Sequence, residues 1–179
     1  METTKKDYKA IADRINQDNH FLQSSSMLVT DIRDGYARVE MIIDEKILNM
    51  YGLVHGGALF SLADTAAGAA SFTAGRDAVT LNASINFIRP GRGGRLIADA
   101  SRISAGKTTG VYEVFIFNDE DILLCSATFT MFFLDDEHRR SHTMAIEEQK
   151  KRQRMKQKQK STDKERVSAV LEETAGEKQ

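Results

Sequence analysis

The sequence predicts an α+β fold in which an antiparallel sheet of about six strands wraps around one long central helix. Three observations point there. The run HGGALFSLADTAAGAASF, residues 55–72, combines good helix formers with small residues and is apolar on nearly every side, so it needs cover all round. Segments of β-forming residues lie on both sides of it, two before and four after, parted by turn-like stretches. An antiparallel sheet can bury a single helix of that kind only by curling round it.

Each element follows from its own pattern. Tyr8, Ile11 and Ile15 recur at helical spacing and predict a short amphipathic helix lying on the body of the domain. Between Met27 and Ile43, Ala37, Val39, Met41 and Ile43 alternate with Arg38, Glu40 and Ile42, and Asp34-Gly35 supplies a hairpin turn, so two antiparallel strands are expected. A loop with Asn49, Tyr51 and Gly52 leads into the central helix, which has length for about five turns before Gly75. AVTLNASINFI, RLIADASRIS, TTGVYEVFIF and ILLCSATFTMFFL follow, separated by RPGRGG, AGK and NDED, and read as a meander of consecutive antiparallel strands. Pro90, the only proline, falls where it ends the first of them without removing a ladder hydrogen bond. There is no internal repeat.

A length of 179 residues, 41% hydrophobic and 28% charged, suits one globular domain, but charge divides the chain. Residues 138–179 hold 12 Lys/Arg against 7 Asp/Glu, a net +5, which leaves −6 for residues 1–137. We therefore expect a folded domain over 1–137 and a basic tail over 138–179, disordered or partly helical, since Met144, Ile146 and Met155 make too thin a stripe to pack. The alternative reading of the tail, a patch for nucleic acid or an anionic surface at KKRQRMKQKQK (150–160), would rest on charge alone, since no aromatic interleaves it for base stacking. Cys125 has no partner for an intramolecular disulfide, which favours a reducing compartment. METTKKDYKA has no apolar run behind its charges, and the longest apolar stretch is short and holds Asp64, so no membrane span and a cytoplasmic location are expected.

Chemistry concentrates between Asn49 and Asp64. Gly56-Gly57 sit where a loop becomes the helix, so their N–H groups are unsatisfied donors at its positive end, suited to an oxyanion; equally, two glycines allow a tight entry to a crowded helix. His55 beside them is a cap or a participant in catalysis. Asp64 is a poor mid-helix residue among Leu59, Phe60, Leu62, Ala63, Ala66 and Ala67, and is either a structural carboxylate with backbone or hydroxyl partners or a base kept in a dry pocket. Asn49 is a turn residue or a polar group aimed at that pocket.

Asn49, His55-Gly56-Gly57 six residues on, Leu62-Ala63-Asp64-Thr65-Ala66 with its acid nine residues after the histidine, and Asn86-Phe87 near Arg89-Pro90 together resemble the PaaI-type (phenylacetate-degradation) hotdog acyl-CoA thioesterases, over about residues 8–134. HGG alone is common; the joint spacing is specific. The resemblance implies a hotdog fold and hydrolysis of an acyl-CoA thioester to free acid and coenzyme A, with no metal and no cofactor beyond the coenzyme A of the substrate. It implies Gly57 N–H as oxyanion donor, His55 orienting the pocket, Asn49 positioning water or thioester, Asp64 as general base or nucleophile, and Thr80 as an assisting hydroxyl on the next strand. The turn Gly106-Lys107 resembles the family turn that meets the nucleotide, with Gly56 and Arg89 as further candidate coenzyme A contacts and Arg92 and Arg95 as other candidate cations; equally, these cations form an ordinary solvated basic edge. Gly57 and Asp64, seven residues and so roughly 10 Å apart along one helix, would meet one carbonyl only across a homodimer, which could pair again into a dimer of dimers. Two rival functions are a non-catalytic acyl-CoA-binding sensor and a hotdog dehydratase or hydratase; the latter needs a differently spaced His and acid pair.

Overall fold

The computed structural model of the chain describes residues 6–135 together with 151, 152 and 155. The chain divides into two units, Met1–Asp135 and Asp136–Gln179. The tail expected from 138 onward lies almost wholly outside the described residues.

The first unit runs α1 (Tyr8–Asp18), α2 (His20–Ser24), β1 (Met27–Arg33), β2 (Tyr36–Ile42), a 3₁₀ turn (Glu45–Ile47), α3 (Gly56–Phe72), β3 (Ala78–Phe87), β4 (Arg95–Ala105), β5 (Thr109–Asn118) and β6 (Leu123–Phe133). α1 starts at Asp7, whose carboxylate accepts from Ala10 N–H at 3.0 Å. Its apolar face of Tyr8, Ile11, Ala12 and Ile15 packs on the core as the spacing predicts. Asn16 pins it to the edge strand, donating to Val29 O at 3.1 Å and accepting from Val29 N–H at 2.9 Å. The short α2 is an addition to the sequence expectation. Its signal was Asn19, which caps it by accepting from Leu22 N–H at 3.1 Å, followed by the fully buried Leu22.

All six strands form one antiparallel sheet in the order β1-β2-β4-β5-β6-β3. The expected consecutive meander holds for β4, β5 and β6 but not for β3, which pairs with β6 at the sheet edge. β4 has both sides taken, by β2 and β5, so β3 can join only at the far end. Residues 88–94 can span roughly 23 Å, enough to cross two strands spaced about 4.8 Å apart. β3 has a register shift between Thr80 and Asn82 against β6.

Small residues seat the helix on the sheet. Ala63, Ala66, Ala67 and Ala70 of α3 and Ala37, Ala98 and Ala100 of the strands are all 0% exposed, so the two layers approach closely and gain dispersion contacts along the helix. Leu62, Leu96, Tyr112 and Phe129 fill the remaining volume.

The expectation of cover all round α3 is met on one side only within the single chain. Eight of its seventeen residues are buried. Gly57 and Phe60 are exposed, and Ser61, Asp64, Thr65, Gly68 and Phe72 are half-buried; at spacings of three and four they form one stripe along the helix. Beside that stripe runs the free edge of β3, with Val79, Leu81 and Phe87 exposed.

Candidate active site

The start of α3 is shaped by His55, whose Nδ1 accepts from Gly57 N–H at 2.9 Å. The imidazole is thus the helix cap. Gly57 N–H is engaged inside the chain, whereas Gly56 N–H has no acceptor among the described residues. Ser61, one turn on, donates its hydroxyl to Gly57 O at 2.8 Å and holds the first turn closed.

Asn49 shapes a turn. Its Oδ1 accepts from Tyr51 N–H at 2.9 Å and Leu53 N–H at 3.2 Å, and its backbone N–H donates to Leu53 O at 2.7 Å, so it builds the loop that enters α3. Gly52, at φ 70°, makes the reversal possible. Asn49 also lines a cavity of about 360 Å³ with Gly56, Phe87 and Arg89. Arg89 donates from one guanidinium nitrogen to Leu123 O at 2.9 Å, which leaves its other donors for a ligand.

Asp64 stands two turns further along the same stripe. Thr80 Oγ1 donates to Asp64 Oδ1 at 2.5 Å, so β3 and α3 bring together an acid and a hydroxyl that lie sixteen residues apart. Both line a cavity of about 830 Å³ with Phe60, Ser61, Gly68 and Phe72 from α3 and Arg14, Asp18, His20 and Phe21 from the N-terminal helices. The Arg14 guanidinium lies 5.6 Å from the Phe72 ring centroid.

His55 and Gly57 line a third cavity, of about 210 Å³, with Phe21, Met27, Met41, Ile47 and Ala58. The chain thus gathers the predicted residues into three neighbourhoods: Asn49, Gly56 and Arg89; His55 and Gly57; Asp64 and Thr80. A rise of about 1.5 Å per residue keeps Gly57 and Asp64 roughly 10 Å apart along α3.

Gly106 and Lys107 lie on the β4–β5 turn, line none of these cavities, and are held by Arg76, whose guanidinium donates to Lys107 O at 2.6 Å and Gly106 O at 3.1 Å. Arg76 also lies over the Phe133 ring at 3.9 Å from its centroid. Sequence reasoning missed this support because a lone arginine after a helix carries no pattern. Of the other cations, Arg92 is exposed and Arg95 is paired with Glu40 at 2.8 Å. The Cys125 thiol is buried, and burial pushes its pKa up to about 11, which makes it inert at neutral pH. Among the described residues no group of three or more His, Cys, Asp or Glu could hold a metal ion, and no helix is long and apolar enough to cross a membrane.

Residues 51–125, which run from the α3 entry to the start of β6, match the family model of the thioesterase superfamily. The chain is 41% identical over 93 residues to the acyl-coenzyme A thioesterase PaaI of Escherichia coli K12, a match covering 51% of this chain and 66% of that protein. The structure of the E. coli PaaI protein from the phenylacetic acid degradation operon superposes with a TM-score of 0.69 at 30% identity, covering 72% of this chain and 94% of that one. A hypothetical thioesterase protein of Streptococcus pneumoniae TIGR4, solved with coenzyme A, gives a TM-score of 0.62 at 36% identity, covering 66% of this chain and 96% of that one. A Streptococcus mutans UA159 protein bound to acetyl CoA gives 0.57 at 37% identity, covering 59% of this chain and 86% of that one. The chain belongs to the thioesterase superfamily, among its PaaI-like hotdog members.

Proposed function

We propose that the chain hydrolyses acyl-coenzyme A thioesters to a free acid and coenzyme A, in sites shared between two copies. The observation that carries this reading is the Asp64 carboxylate fixed by Thr80 at a cavity wall, about two turns from the start of the same helix, where Gly56 N–H has no acceptor among the described residues. Asp64 takes a proton from water, and the hydroxide attacks the thioester carbonyl. Charge develops on the carbonyl oxygen and is met by N–H groups at the start of α3. Gly56 N–H is free to donate; Gly57 N–H joins it once the His55 imidazole turns aside. Collapse of the tetrahedral adduct breaks the carbon–sulfur bond, and the thiolate takes up the proton. Direct attack by Asp64, giving an anhydride that water then opens, needs the same groups.

Asn49 offers its amide NH₂ to the thioester while its oxygen keeps the loop shaped. Arg89 beside Gly56, and Lys107 on the turn held by Arg76, suit the phosphates of coenzyme A. The partner copy is read from the half-open stripe of α3 and the apolar free edge of β3, which one two-fold axis could cover together. The dimer could associate further into a tetramer, and a cytoplasmic location fits the lone buried thiol.

Incubating the purified chain with a panel of acyl-CoA thioesters, with released thiol as the readout, tests the reading directly. Turnover is expected. Saturable binding of acyl-CoA with no thiol released would instead make the chain a sensor.

Residues 138–179 are read as separate from the catalytic unit, because they lack a core pattern. Deleting them is expected to leave turnover of small soluble substrates within about twofold and melting nearly unchanged. A collapse of either quantity would make the tail structural.

A further inference from the structure

The β4–β5 turn is gripped from one side by a single side chain. Arg76, in the connection from α3 to β3, donates from its two terminal nitrogens to Lys107 O at 2.6 Å and to Gly106 O at 3.1 Å. Its guanidinium lies 3.9 Å from the centroid of the Phe133 ring, and Phe133 is only 4% exposed. Gly110 makes room for that ring, since a Cβ there would come within 2.9 Å of Phe133 Cζ. The turn itself is closed by Gly106 N–H donating to Thr109 O at 2.8 Å, and Phe133 N–H ties it to the end of β6 by donating to Thr108 O at 2.8 Å.

The planarity of the peptide decides what this grip does to the turn. In a trans peptide the carbonyl of one residue and the N–H of the next point in opposite directions. With Gly106 O and Lys107 O both drawn to Arg76, the N–H groups of Lys107 and Thr108 point away from it. Neither has an acceptor among the described residues. Two successive N–H groups that face one way make a small concavity for an anion. The exposed Lys107 side chain adds an ammonium beside them.

Resting on the hydrolase reading above, we infer that Arg76 is a positioning residue for the coenzyme A arm of the substrate. It holds two carbonyls on its own side of the turn and so presents the Lys107 and Thr108 N–H groups, with the Lys107 ammonium, to a phosphate on the other. Arg76 acts through the turn. Without its grip the two peptides would have to be ordered on binding, at a cost in affinity. Lysine cannot replace it, because an ammonium has neither the planar fork for two carbonyls nor a flat face for the ring.

The experiment compares two thioesters of one acyl group, one on coenzyme A and one on pantetheine, which lacks the nucleotide and all the phosphates. The acyl group is the one turned over fastest in the panel above. In Arg76→Met, KM for the coenzyme A thioester is expected to rise about tenfold with kcat within about twofold, while kcat/KM for the pantetheine thioester stays within about twofold. Arg76→Lys should behave like Arg76→Met. It keeps the charge and a stem over the ring, so it gives a readout even if Arg76→Met does not fold. A wild-type KM in Arg76→Lys means that charge alone suffices and overturns the positioning role. An unmoved KM in folded Arg76→Met, or an equal loss with both thioesters, overturns it too. If wild type releases no thiol from any thioester, the hydrolase reading falls by itself, and calorimetric titration with coenzyme A then judges Arg76. A Kd raised about tenfold in both variants upholds the role of the turn; a Kd within about twofold of wild type, or no binding by wild type, overturns it.

Discussion

Asp64→Asn is expected to leave a folded protein whose kcat for acyl-CoA hydrolysis is lowered at least about a hundredfold, the usual scale for losing a general base. The substitution replaces one oxygen by an NH₂ group of nearly the same size, and the remaining oxygen can still accept from the Thr80 hydroxyl, as Asp64 Oδ1 does now at 2.5 Å. Asp64 is half-buried within its chain, so no sealed charge site is disturbed. The carboxamide cannot take a proton from water or form an anhydride. KM should change far less than kcat, since the group acts on the transition state rather than on bound substrate. Steady-state kinetics beside a thermal melt checks both parts; near-normal turnover in a folded variant removes Asp64 from the mechanism.

Activity is also expected to reappear when two dead variants are mixed. Gly57 and Asp64 lie on one stripe of α3 but line different cavities, and about 10 Å of helix separates them. In the proposed dimer an antiparallel partner helix would bring the Gly57 end of one copy to Asp64 of the other, in two equivalent sites. Asp64→Asn combined with a variant inactive at Asn49 or His55 then gives mixed dimers with one intact site each. Under random pairing half the dimers are mixed and half their sites are intact, so about a quarter of wild-type activity returns after mild unfolding and refolding together. Native mass measurement would establish the exchange. Exchange without recovery means that one chain supplies every catalytic group.

What could be read from sequence follows the range over which each signal acts. Local periodicity placed the long helix, the hairpin at Asp34-Gly35 and six strand segments, because burial of one face forces alternation within a strand. Pairing between strands is a long-range matter, and a turn of ordinary composition after Pro90 said nothing of which neighbour β4 would take. That is why β3 was expected beside β4 and lies beside β6. The apolar character of α3 was legible, but whether its own sheet or another copy covers a given side is not encoded in periodicity. At the site, the spacing of His55, Gly57 and Asp64 was in the sequence, whereas the engagement of Gly57 N–H by His55 Nδ1 depends on a side-chain rotamer. The Thr80–Asp64 contact crosses from strand to helix and needed coordinates.

The register shift in β3 has a consequence for how this strand tolerates change in length. Thr80 pairs with the buried Met131, and Ala83 and Ile85 pair with the buried Phe129 and Ala127, so all three strand residues point toward α3 although 80 is even and 83 and 85 are odd. One extra residue, Leu81, shifts the phase between them. The first part of β3 is aimed at Asp64 and the second at the core, in two alternations that strict pleating could not reconcile. Removing one residue at this point would restore a single alternation, and either the acid would lose its hydroxyl partner or the core would lose its alanine and isoleucine. A change in length before Ala78 leaves the phase alone, so it spares the two alternations that a deletion inside the strand would merge.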